Sequence, residues 1–142
     1  MADLHDEEPM MEHAFRTVLI DWLRGDAELA GGLNAIVEDG PSPAPAPTLS
    51  IAASASADWS TKTTKGREVR LAFELVERHD RLLSAAATAA RIEERIATLS
   101  PDQDGFRVVA TQFLRSRVER RGNGLNAALL EYRFKLLELP TE

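Results

Sequence analysis

The sequence predicts an α+β domain: an antiparallel sheet of about four strands, two helices packed on one of its faces, and a long C-terminal β-hairpin. Three observations carry that reading. Apolar residues recur at helical spacing over residues 11–22 and again over 82–99. Val69, Leu71, Phe73 and Leu75 alternate without a break with Glu68, Arg70, Ala72 and Glu74, which is the period of a half-buried strand. Two further alternating runs flank Gly122-Asn123-Gly124, a trio suited to the positive backbone angles of a tight hairpin turn. The chain has 142 residues, 44% apolar and 28% charged, so it is long enough to hide about 68% of its unfolded surface around one core. No stretch approaches the roughly 20 apolar residues of a membrane helix, and no secretory leader is visible at the start, so the expectation is a cytoplasmically made protein without a membrane partner.

Taken in order, residues 1–8 read as a disordered acidic lead, and residues 9–142 as a single domain. Pro9 suits the first turn of a helix. Met11, Phe15, Val18, Leu19 and Trp22 form the apolar side of that helix, and Gly25 stops it. Asp26 is placed to cap a short second helix carrying Leu29 and Leu33, which Gly31-Gly32 limits to one or two turns. After Ile36-Val37 and a turn at Asp39-Gly40 come Pro41, Pro43, Pro45 and Pro47. Proline lacks the amide donor a sheet interior needs, so this segment reads as an extended surface strap. Leu49, Ile51, Ala53 and Ala55 alternate with smaller residues as a strand, and residues 56–66 form a polar loop carrying Trp59. After the Val69–Leu75 alternation, Asp80 is placed to cap the next helix, whose stripe is Leu82, Ala85, Ala89, Ile92, Ile96 and Leu99. Residues 106–118 and 125–139 are the strands of the terminal hairpin.

The chemistry on offer is sparse. There is no cysteine, and His5, His13 and His79 have no partner at metal-ligand spacing. No nucleophile elbow, phosphate loop or dinucleotide fingerprint is present, and Glu93-Glu94 lies beside Arg91 and Arg95, where helical ion pairing accounts for it. The expectation is no catalytic residue, no metal and no cofactor. The formal net charge is -6, of which -5 falls in the first twelve residues; a chain that grips phosphate backbones carries a basic surplus instead.

Two features point outward. Strands of about thirteen residues would span over 40 Å at about 3.3 Å each, more than a small domain covers, and the distal part holds Arg115, Arg117, Arg120 and Arg121. Its tip either stands in solvent or docks on a neighbouring subunit. Trp59 sits with Lys62 and Lys65 in a polar loop, as an interface anchor or folded back on its own sheet. These seven residues are the candidate subunit or partner interface.

The stretches Met11-Glu12-x-Ala14-Phe15-Arg16-x-x-Leu19, Asp26-Ala27-Glu28-Leu29-Ala30 and Arg67-Glu68-Val69-Arg70-Leu71, the last running into an Ala-rich amphipathic helix and a long terminal hairpin, resemble the tail terminator, or tail completion, proteins of long-tailed phages and of phage-derived gene transfer agents. The resemblance covers most of residues 10–139. It implies a structural virion component without enzymatic activity: a ring, typically a hexamer, that caps the tail tube protein, joins it to the head-tail connector (stopper) protein, and lets DNA pass through its lumen without specific binding. It implies assembly in the bacterial cytoplasm and residence in the neck or tail of a phage-like particle. The proline strap departs from the family pattern, which often has an aromatic-proline step before the second strand. A neighbouring connector, a tube subunit, or a small cytoplasmic adaptor binding one partner are the alternatives.

Overall fold

A computed structural model describes residues 4–140 and the side chains from Met10 onward. The helix α1 (Leu4–Arg24) and the short α2 (Ala27–Gly32) precede β1 (Ala35–Val37), β2 (Thr48–Asp58) and β3 (Gly66–Arg78); α3 (Leu82–Ala97), β4 (Phe106–Arg121) and β5 (Leu125–Glu138) complete the chain. The strands form one sheet in the order β1-β2-β3-β5-β4.

The inward positions of the alternating strands supply the core. Leu49 and Ile51 from β2, Leu71 and Phe73 from β3, and Phe134 and Leu136 from β5 are buried against Phe15, Leu19 and Leu23 of α1 and Ile92 and Ile96 of α3. The rings of Phe15 and Phe134 stand 4.7 Å apart, and Phe106 meets Phe15 edge-on at 6.2 Å. This aromatic knot locks α1 onto the start of β4 and the end of β5, with burial as the dominant stabilising effect.

Four expectations are corrected. The sheet has five strands and is mixed, because Ala35–Val37 pairs in parallel with Thr48, Leu49 and Ser50. A three-residue strand is too short to show a period. It is held where Asn34 donates its backbone N–H to Pro47 O (2.8 Å) and its side-chain Nδ2 to Pro45 O (2.8 Å), which clamps the proline strap back on itself. The first helix begins at Leu4 rather than near Pro9, so residues 4–8 are helical where a disordered lead was expected. Residues 1–3 of that lead lie outside the described residues. Asp80 does not cap α3: it accepts from Arg78 Nε (3.3 Å), and a 3-10 turn over His79–Arg81 enters the helix without a side-chain cap. Finally, the terminal hairpin is not a projecting arm. β3 is longer than the Val69–Leu75 core of its pattern and pairs with β5 from Gly66↔Leu137 to Arg78↔Leu125, so the hairpin is backed along its whole length.

The helices are tied together at one corner. Asp26 caps α2 by accepting from Leu29 N (3.0 Å) and also receives Arg91 of α3, whose Nε lies 3.1 Å from Oδ2. Beside it the Arg95 guanidinium stacks 3.4 Å from the centroid of the Trp22 ring, Trp22 Nε1 donates to Arg95 O (2.7 Å) and Arg95 Nε donates to Trp22 O (2.8 Å). The Arg91 hydrogen bond, aided by the capping amide, holds the Asp26 carboxyl down from 3.8 to about 2. A depressed folded-state pKa means that this stabilisation is complete above about pH 4 and is lost as the pH falls towards 2. Thermal unfolding followed over that range should show a decline in Tm, part of which disappears in Asp26→Asn.

Candidate functional site

The sheet leaves both of its edges open. β1 covers only the first three residues of β2, so among the described residues the outer edge of β2 has no strand partner beyond Ser50. On the far side, β4 has no strand partner but β5 among the described residues. The outer side of its first residues is engaged by the 101–103 segment, where Val108 donates to Pro101 O (2.7 Å) and Asp102 bridges Arg107. From Val109 to Arg121 the strand runs open. Two irregularities, between Val108 and Ala110 and between Phe113 and Arg115, turn Val109 and Leu114 partly out to solvent. Bulges of this sort twist an edge and restrict what pairs with it.

Strand sense makes the two edges complementary. β2 is antiparallel to β3, β3 to β5 and β5 to β4, so β2 and β4 run in opposite directions. A second copy placed beside the first by rotation therefore presents its β2 antiparallel to the first copy's β4. Such a head-to-tail contact is heterologous, and it generates a ring when the rotation closes.

The seven interface candidates do not come together. Trp59, Lys62 and Lys65 lie in the loop between β2 and β3, whereas the four arginines lie on β4 towards the hairpin tip. Through the register Arg115 stands level with Ala72 of β3 and Arg121 with Arg78, so the arginines lie about 20 to 40 Å along the sheet from the Gly66 end that carries the loop. Trp59 is half-buried, with the Lys135 ammonium 5.1 Å from its ring centroid, and its backbone N–H donates to Gly66 O (2.9 Å). Lys62 is exposed; the Lys65 carbonyl accepts from Glu138 N (2.9 Å), fastening the loop to the end of β5.

The arginines are not bare either. Arg115 pairs with Glu131 across the strand, Arg117 with Glu119 (3.5 Å), and Arg121 with Glu74 (3.2 Å) and Glu119 (3.1 Å). Guanidinium contact holds the Glu131 carboxyl below the usual glutamate range. Arg120 turns to the helix side of the sheet, where it meets His79 Nε2 at 3.4 Å while Asn126 meets Nδ1 at 3.2 Å. These cations and carboxylates alternate on a solvated strand, a surface that suits interleaving with another charged protein surface more than a phosphate track.

One feature went unread in the sequence. Towards the hairpin tip an apolar groove of about 370 Å³ runs between α3 and the helix-side face of β3, β4 and β5. The stripe of small residues along α3 gave its only sequence signal, and that stripe reads equally well as core.

The fold and surface define a small α+β sheet module, open on two complementary edges, with a charged strand at one end and a lysine-bearing loop at the other. The family model for "Tail completion protein gp17" matches residues 17–136, and the chain belongs to that family. It is therefore a structural component of a phage-type tail. Among solved structures, a chain described as "Virion of native gene transfer agent (GTA) particle" shares the fold with a TM-score of 0.69 at 23% identity, over 87% of this chain and 94% of that one. No curated protein matches.

Proposed function

We propose that the chain is a tail terminator that closes into a ring on the end of the tail tube and joins it to the head-tail connector, with DNA passing through the ring. The observation that carries this reading is the pair of open, oppositely running edges on one sheet; on this reading β4 of each copy pairs with β2 of the next. Six copies is the number the family resemblance supplies. With the strands standing across the ring's thickness, the Trp59, Lys62 and Lys65 loop and the Arg115, Arg117, Arg120 and Arg121 strand end face opposite sides, one towards the tube and the other towards the connector. The net charge of -6 suits a passage whose wall does not hold phosphate, since that grip comes from lysine and arginine displacing counterions. Assembly takes place in the bacterial cytoplasm and the ring stays in the neck of the particle.

The arginine end provides the test. Replacing all four arginines with serine should leave the fold intact, because all four are exposed and surface ion pairs add little to stability. In particles whose only copy is this variant, electron microscopy should then show capped tails of normal length without heads. Tails joined to heads at the normal frequency would sink the assignment of this end to the connector.

A further inference from the structure

The two open edges restrict the register in which they can meet. Among the described residues β2 has no strand partner from Ile51 to Asp58, and its residues 52–55, 57 and 58 are exposed. β4 is exposed from Val109 to Val118. Across the sheet Asp58 stands level with Arg67, Leu136 and Val108. A neighbour set alongside with no slide would bring its Asp58 against Val108, and that place is taken, because the Val108 N–H already donates to Pro101 O (2.7 Å). A ladder between copies must start further along β4. Closing a sheet on itself calls for such a stagger between strands.

We infer that the edges join in one register, with Asp58 of one copy opposite Thr111 of the next and Ile51 opposite Val118; this rests on the edge-to-edge ring proposed above. The helix layer lies on the same side of every copy, so only slides that keep each side chain on its own face are allowed. Ser54 and Ser56 share the helix-side face with Leu71 and Val69, and Thr111, Phe113, Ser116 and Val118 share it with Phe134, Tyr132, Leu130 and Ala128. The first allowed slide that clears Val108 matches residues 51–58 to residues 111–118, two runs of equal length with one irregularity in each, between Ile51 and Ala53 and between Phe113 and Arg115. Val118, 64% exposed in the single chain, gains an apolar neighbour in Ile51. On the other face Arg115 and Arg117 lie opposite Ala55 and Ala53, whose short side chains leave room for the ion pairs with Glu131 and Glu119. The next allowed slide sets Ile51 against Arg120 and Asp58 against Phe113, which pairs charge with apolar surface at both ends. Val37 on Ser50 ends the open edge of β2, so Glu119, Arg120 and Arg121 run past the contact towards the partner at the arginine end.

Cysteine pairs test the register, since the chain has no cysteine of its own. Tails are assembled under reducing conditions from chains carrying each pair, then oxidised mildly and run on non-reducing gels. All substituted side chains are exposed, so melting curves should stay close to wild type. Ala55→Cys with Arg115→Cys, and Ala53→Cys with Arg117→Cys, should each link neighbouring copies. Ala55→Cys with Gln112→Cys, or with Arg117→Cys, should link on the order of tenfold more slowly, because a disulfide needs Cβ atoms within about 4.5 Å and a slide of two residues moves them about 7 Å. Fastest linking of residue 55 to residue 112 or 117 would overturn this register and leave the β4–β2 joint standing. No link from any pair would overturn both. Val118→Asp adds a second readout: it should melt as the wild type does and fail to cap tails, and capping at the normal frequency would overturn the pairing of Val118 with Ile51.

Discussion

Phe15→Ala is expected to destabilise the fold by about 3–5 kcal/mol, the cost of removing a large aromatic from a packed core and leaving a cavity behind. Phe15 is 0% exposed and is the one aromatic of α1 that touches rings from both strands of the terminal hairpin, Phe106 and Phe134. Phe134 in turn stacks on Tyr132 at 5.7 Å, so the lost contact loosens α1 and the centre of the sheet together. Domains of ordinary size are stable by about 5–15 kcal/mol, and a loss of this size removes a large part of that margin. Urea unfolding checks it: the midpoint should fall sharply at unchanged slope. Met10→Ala, at a side chain 68% exposed, should shift stability by no more than about 0.5 kcal/mol.

The largest effect on assembly is expected from proline in β4. Alternate residues of an edge strand point their N–H groups inward to the ladder and outward to solvent. Of the neighbouring substitutions Arg117→Pro and Val118→Pro, one therefore removes a hydrogen bond to β5 and lowers Tm, while the other removes only an outward donor. The second kind should fold with a nearly normal melting curve and yet fail to cap tails, because a proline on that edge rejects an incoming strand. If both variants cap tails normally, β4 is not the joining edge.

Much of the architecture was legible in the residues because each element obeys its own local physics. The α1 stripe, the Gly25 stop, the Asp26 cap, the unbroken alternation around Val69 and the Gly122-Asn123-Gly124 turn, with Asn123 and Gly124 at φ 61° and 72°, all stand as the pattern implies. What was not legible depends on tertiary pairing. Ala35–Val37 is a strand only because β2 lies beside it. The hairpin looked too long for the domain because β3 runs past its clear alternation through Gly66, Arg67, Glu77 and Arg78. The interface candidates were chosen by exposure and type, which the sequence does reveal. Their separation along the sheet, and the pairing of Arg115 with Glu131 and Arg121 with Glu74, follow from strand register, which composition does not encode. The groove is a gap between elements, and its one mark in the sequence, the small-residue stripe of α3, reads equally well as core.

Covalent trapping of the edge contact tests the central claim most directly, and the absence of native cysteine makes it clean. One cysteine is placed on β2 at Ala55 and a second at successive positions of β4 from Val109 to Val118, since a disulfide forms only where the two Cβ atoms come within about 4.5 Å. The account predicts that, on assembled tails, particular β4 positions give an intermolecular ladder on a non-reducing gel that stops at a closed ring of six. Cross-linking at no β4 position, or a ladder that ends at two copies, would contradict it.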